Sequence, residues 1–469
     1  MDDLDVIATA DEGEHMKLIA RLAIPLSLLA VGIAPATVAH ASAHSAPAGT
    51  RLWVQAYTGG PPGRSGVGTG LAVSPDRAVV YVTGVTTKQS GRRPDYDDAT
   101  LAYDSATGAV LWETRYQGVN HPLGTPSIVV SPDGHMIFVA AAVRVRLGQE
   151  SYLIEAYNAR NGALLWTAQP SGILPSIPAQ DPIAVSPDSG TVFITGFTYI
   201  RHHKSYTTVA FYAKTGVQDW DTTTPYSGPF GTTAIAVSPD GSAVFVTGGS
   251  GTLAYDANSG ATLWQYRHTQ GPVGLTVSPD SSTLYVTAAD GRKKDYWLTT
   301  AYSTASGAPI WVARFVRPGG QAGAPAAVLV SPDGSQVIVG GNALSGNGES
   351  DFQLFSYDAA TGARLWAATY SASPSRGTSA TAMAITPNGA EVVLTGDVGS
   401  YPHSVYVTAG FNASTGSRLW AARLTGLASG ETVPAAVGTS SDSARVFVTG
   451  GSFNFTADAR EYLTAAYHT

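Results

Sequence analysis

Three groups of residues could do chemistry in this chain of 469 residues. Asp181, followed by Pro182, could act as an acid, a base or the anchor of a ligand; an Asp-Pro pair is equally a common way to start a turn. Asp95, Asp97 and Asp98 offer the oxygen ligands that calcium prefers. The glycine and terminal glutamate spacing of a calcium loop is absent, so a solvated loop is expected there and no metal site. The third group is basic: Lys88, Arg92 and Arg93; Arg144 and Arg146; Arg201, His202, His203 and Lys204; then Arg292, Lys293 and Lys294. Such clusters either hold an anionic ligand or solvate long loops. His202 and His203 make a poor metal pair, because neighbours on a strand point to opposite faces. No Gly-Lys pair exists for a phosphate loop, and neither Gly-x-Ser-x-Gly nor His-Glu-x-x-His occurs. The absence of cysteine removes disulfide scaffolds, thiolate metal sites, cysteine nucleophiles and lipid attachment through a cysteine.

The elements that must position these residues come from one repeat. A Ser-Pro-Asp triplet recurs at Ser74, Ser131, Ser186, Ser238, Ser278 and Ser331, with degenerate copies at Thr386-Pro387-Asn388 and Ser440-Ser441-Asp442. Seven residues after the first member of each copy stand Tyr81, Phe138, Phe193, Phe245, Tyr285, Ile338, Val393 and Phe447, without a gap. A second element, as in Ala102-Tyr103-Asp104-Ser105-Ala106-Thr107-Gly108-Ala109-Val110-Leu111-Trp112, closes each unit with a glycine four residues before a tryptophan. Those tryptophans are Trp112, Trp166, Trp220, Trp264, Trp311, Trp366 and Trp420. The eighth copy is split: the chain ends in Ala466-Tyr467-His468-Thr469, and Gly49 to Trp53 supplies the missing glycine and tryptophan.

Each unit reads as four short strands. An inner strand such as 233–237 meets the Ser-Pro-Asp turn, where proline presets φ and a following glycine can take positive φ. A hairpin leads into the Val/Phe/Thr strand (244–247), then a variable loop, the Ala-Tyr-Asp strand, a Thr-Gly turn and the Trp strand. Four strands per unit with a split terminal unit predict an all-β, eight-bladed β-propeller of antiparallel blades, closed by the N-terminal strand pairing with the C-terminal blade. Trp53 and its seven counterparts are expected to pack between neighbouring blades, whereas Trp297 falls outside that register, in the variable loop and strand of unit five. Asp181 lies five residues before Ser186, at an inner-strand entrance that Thr69, Pro126, Thr233, Val273, Ala326, Thr381 and Ala435 occupy in the other units. Strand alternation sends every loop between second and third strands to one face, so the basic groups of units one, two, three and five share a rim.

Lys17 and Arg21, the apolar run 22–33 and Ala39-His40-Ala41 have the order of a secretory signal peptide, with a retained membrane anchor as the other reading. Residues 1–15 are acidic where a signal should be basic, and Met16 is the expected start. The expected organisation is therefore an acidic extension (1–15), a signal (16–41), a linker (42–48) and the propeller (49–469). Loss of 1–41 removes six of 34 acidic and two of 27 basic residues, which moves the net charge from −7 to about −3. Near-neutrality gives no reason to expect nucleic-acid binding.

The Ala-Tyr-Asp-x-x-Thr-Gly-x-x-Leu-Trp element resembles the tryptophan-docking motif of PQQ-repeat eight-bladed propellers, a family that includes quinoprotein alcohol dehydrogenases and an outer-membrane assembly lipoprotein. Glu461-Tyr462-Leu463-Thr464 and the Trp112-x-x-Arg115-Tyr116 continuation are also similar to SBBP repeats, and Phe245-Val246-Thr247-Gly248 to YVTN repeats. The resemblance implies a bacterial-type extracytoplasmic propeller, secreted or at the cell surface. The adjacent cysteines at the dehydrogenase cofactor and the lipidated cysteine of the assembly protein are absent, and a repeat named for a cofactor is not the cofactor. The expectation is a monomeric, non-catalytic binding or scaffolding module, without cofactor, for a protein or anionic polysaccharide of the envelope. The alternative is a PQQ- and calcium-dependent oxidoreductase, or a propeller hydrolase, with Asp181 at the channel mouth.

Overall fold

The computed structural model describes residues 46–469 apart from 60–63, 91–92, 117–124, 147–148, 171–181, 201–202, 226–231, 250, 268–270, 290–295, 317–322, 345–348, 374, 400–402, 427–430 and 455–458. For 89–90, 93–95, 144–146, 149–150, 197–200, 203–204, 232–233, 272, 454 and 459 it describes the backbone only. Thirty-two strands form eight four-stranded antiparallel sheets, each a blade. Seven blades use consecutive strands. The eighth joins Thr432–Thr439, Arg445–Asn454 and Ala459–His468 to the N-terminal strand Arg51–Tyr57 as its outer edge, with Trp53 opposite Ala466. Closure pairs an edge that an open sheet would have to protect.

The repeated tryptophans hold the blades to one another. Each indole lies on the turn glycine of the next blade: a Cβ on Gly307 would stand 2.5 Å from the Trp264 ring, and Gly307 has φ +68°. Only glycine satisfies both the left-handed backbone and the approach. The Trp264 indole N–H donates to the Thr304 carbonyl at 2.6 Å, and that of Trp366 to Ala413 at 2.9 Å, both in the following blade. Trp420 departs from this pattern, donating instead to the Glu391 carboxyl within its own blade.

The Ser-Pro-Asp turns are braced by their own side chains. Ser238 Oγ donates to Asp240 Oδ1 at 2.5 Å and accepts from the Ala243 N–H at 2.9 Å. The expected positive φ falls on glycine in four blades, as at Gly241, and on Arg77, Ser189, Ser281 and Ser443 in the others. These serines serve the joint between blades. Ser281 Oγ accepts from the Asp240 N–H of the preceding blade at 3.0 Å, and Ser189 and Ser443 accept from Asp133 and Asn388 in the same way.

One expectation is sharpened and one needs correction. Trp297 stands outside the docking register, as expected, in the strand rather than the variable loop of unit five. It is 2% exposed in the strand Tyr296–Ser303, five residues before Tyr302. The same offset in other blades picks out Tyr152, Tyr206, Phe352, Tyr406 and Tyr462, a second buried aromatic column that packs toward the next blade. Trp297 meets Phe355 of the following blade edge to face, with ring centroids 5.7 Å apart. Asp97 and Asp98 are likewise not in a solvated loop. Both are buried in the strand Arg93–Asp104, where Asp97 forms an ion pair with Arg64 of the inner strand. The charge run looked like a loop because its countercharge arrives from a different strand.

Candidate functional site

The inner strands wall a central channel, and the position that the counterparts of Asp181 hold in the described blades has a structural cause. In blade 1 the inner strand Arg64–Val73 pairs Gly68 with Gly84 and Gly70 with Thr83, so Thr69 is the unpaired residue of a β-bulge. Thr233, Val273, Ala326, Thr381 and Ala435 are skipped identically in their own blades. A bulge bends the strand and re-aims the extra side chain. Thr69, Pro126, Ala326, Thr381 and Ala435 all line the channel cavity, whose volume is about 870 Å³. Asp181 itself lies outside the described residues, next to Pro182, whose carbonyl accepts from Thr195 N–H at 2.9 Å.

The cavity wall is mostly apolar, with Val67, Leu71, Ile128, Met383, Val433 and Val437 among its residues. Glu431 is the ionisable side chain among the described lining residues, and sequence reasoning missed it. It sits just before the inner strand of blade 8, where Ser404 Oγ donates to its Oε1 at 3.1 Å. Asp397 of blade 7 is pushed up to about 6, mainly by burial and then by the negative charge of Glu431. A column-by-column reading of inner-strand entrances would have exposed Glu431 as it exposed Asp181. No group of three or more metal-ligating side chains is present among the described residues. An apolar wall with one carboxylate at the rim can hold a ligand by contact and one polar interaction.

The basic rim is only partly described. Arg92, Arg201, His202, Arg292, Lys293 and Lys294 lie outside the described residues, as do the side chains of Arg93, Arg144, Arg146, His203 and Lys204. The backbone places these last five in strands rather than loops, because the hairpins run on past the core. Ser90 pairs with Arg93, Arg146 with Gln149, and Ile200 with His203. The second strands of blades 1, 2 and 3 have 12, 11 and 10 residues, against six to nine in blades 4 to 7, and only blade 8, with 10, matches blade 3. Acids face part of this charge across the ladders, Asp95 opposite Lys88 and Glu150 opposite Arg144.

No curated protein matches the chain in sequence. Its structure is similar to the C-terminal WD40 domain of Sif2, with TM-score 0.57 and 9% identity over 89% of this chain and 98% of that one. Sqt1 from Chaetomium thermophilum gives TM-score 0.56 and 14% identity over 90% and 100% of the two chains. The quinohemoprotein alcohol dehydrogenase of Comamonas testosteroni gives 0.50 and 13% over 89% and 76%. At such identities the likeness speaks for the fold alone. The PQQ_2 family model, described as outer membrane protein assembly factor BamB, matches residues 38–292 and 249–460. With the docking tryptophans, the split eighth blade and this match across the propeller, the chain belongs to the PQQ_2 (BamB-like) family of β-propellers.

Proposed function

We propose that the protein is a secreted, non-catalytic binding or scaffolding module of the cell envelope, with its partner on the face where second and third strands meet. The height of the hairpins in blades 1 to 3 carries this reading. These hairpins lift Arg93, Arg144, Arg146, His203 and Lys204 beyond the body of the ring, while the opposite face is occupied by repeated, self-braced turns. A long, charged rim over an apolar channel mouth suits an extended polyanion or an acidic protein surface, drawn in electrostatically and held by contact. Membership of a family described for outer-membrane assembly supports an envelope location and a scaffolding role.

One comparison separates this from the oxidoreductase reading. Purified protein is mixed with PQQ and calcium and assayed for quinone absorbance and dye-linked alcohol or sugar oxidation, and in parallel for capture by an immobilised polyanion. The proposal expects capture without turnover. Dye reduction that depends on PQQ would replace it with an enzyme.

A further inference from the structure

The second aromatic column is broken in one blade. Where six described blades carry Tyr, Trp or Phe, blade 1 carries Asp98, pointing at blade 2. The residue of blade 2 that faces it also departs from its column. Glu155 stands where other blades have Leu101, Val209, Leu253, Thr300, Phe355, Ala409 and Ala465. Two unrelated columns thus change to carboxylates at one seam, between blades that pack through Tyr81, Ala102, Val139 and Tyr157.

We propose that the seam between blades 1 and 2 is a cation site of the calcium class, built from Asp98 and Glu155. Asp98 is 2% exposed and neither of its carboxylate oxygens has a hydrogen-bond partner; Glu155 is fully buried and its Oε1 has none. Glu155 Oε2 accepts from the Tyr157 hydroxyl. Asp97, the nearest acid in sequence, is turned to the other face and matched by Arg64. Three buried, unpartnered carboxylate oxygens with no countercharge among the described residues are costly unless something positive lies between them. Asp98 is a shorter side chain than the aromatic ring that the other described blades carry at this position. Oxygen-only donors select a hard cation. Calcium tolerates irregular, partly protein-derived coordination, whereas magnesium keeps its water shell and needs a near-octahedral cage. Water or backbone carbonyls would complete the coordination.

The test uses the full-length protein, stripped with EDTA and titrated with Ca²⁺, Mg²⁺ or Tb³⁺ at pH 7.5. The readouts are thermal melting and Tb³⁺ luminescence sensitised by the seam aromatics Trp112 and Tyr157. Wild type should bind one Ca²⁺ per chain, gain several degrees in Tm and show Tb³⁺ emission that Ca²⁺ quenches and Mg²⁺ does not. Asp98→Asn and Glu155→Gln should bind at least about tenfold more weakly while keeping a native circular-dichroism spectrum. Asp98→Tyr, which restores the aromatic column, should fold and ignore Ca²⁺. A wild type with neither a Ca²⁺-dependent shift nor sensitised emission would overturn the site and leave a carboxyl pair sharing a proton. Undiminished binding by Glu155→Gln would overturn it too.

Discussion

The indole of Trp420 lies on Gly49, close enough that a Cβ on the glycine would stand 2.9 Å from the Trp420 Cβ. This is the joint by which blade 7 meets the N-terminal segment that completes blade 8. It repeats, across the chain ends, the contact that Trp264 makes with Gly307. The ring is closed by the interaction that holds each internal seam, so opening the closure should be as destabilising as opening any other seam. Trp420→Ala and Trp264→Ala should each cost about 3–5 kcal/mol in denaturant unfolding. An unchanged midpoint for either would remove the packing role of that tryptophan.

Trp297 should behave differently from the docking tryptophans. Its indole N–H is buried without a hydrogen-bond partner, whereas that of Trp264 is bonded to Thr304. Trp297→Phe keeps the aromatic face against Phe355 and removes an unsatisfied donor, so it should change stability by less than about 1.5 kcal/mol. Trp264→Phe loses a bond to the next blade and should be the more destabilising of the two, as paired thermal melts will show.

The four left-handed turn residues that are not glycine separate strain from use. Arg77 has φ +72° and only a long, exposed approach to Asp442 at 4.0 Å, a contact of small worth. Arg77→Gly should therefore raise stability by roughly 0.5–1 kcal/mol. At Ser281 the same relief is set against the lost bond from the Asp240 N–H, and Ser281→Gly should be near neutral or destabilising. Equal stabilisation by both substitutions would deny the serine its role at the joint.

Acid should loosen the turn face. The hydrogen bond from the triplet serine holds Asp76, Asp188, Asp240, Asp280, Asp333 and Asp442 below the ordinary carboxylate range. A carboxyl depressed in the folded state stabilises above its unfolded pKa, and that contribution is lost as pH falls through the folded value. Tm should accordingly drop below about pH 4. Asn388 shows that an amide can make the same turn, its Oδ1 accepting from Thr386 Oγ1 at 2.7 Å and from the Ala390 N–H at 3.0 Å. Asp240→Asn should therefore keep neutral-pH stability and weaken the acid dependence. An unaltered acid profile would locate the titration elsewhere.

The repeat was legible because its chemistry is local and periodic: a serine that braces its own turn, and a glycine four residues before a tryptophan. The shared position of Thr69, Ala326, Thr381 and Ala435 was legible too, since one bulge recurs at one offset in their inner strands. Trp297 was left without a register of its own because only the column containing the docking tryptophans was followed. The column five residues before Tyr302 was equally present in the sequence. Asp97 and Asp98 were misplaced for a different reason: the Arg64 partner and the buried seam come from strand pairing and blade packing, which a linear charge run does not encode. Glu431 meets Ser404 and Asp397 only because blades 7 and 8 are neighbours.

The most direct test of the binding face compares wild type with Arg93→Ala/Arg144→Ala/Arg146→Ala for binding to a soluble polyanion, by calorimetry across 50–300 mM salt. Saturable binding should weaken steadily with salt and fall at least about tenfold in the triple variant at low salt, with Tm unchanged. Binding that survives the triple substitution, or that ignores salt, would contradict the proposed binding face.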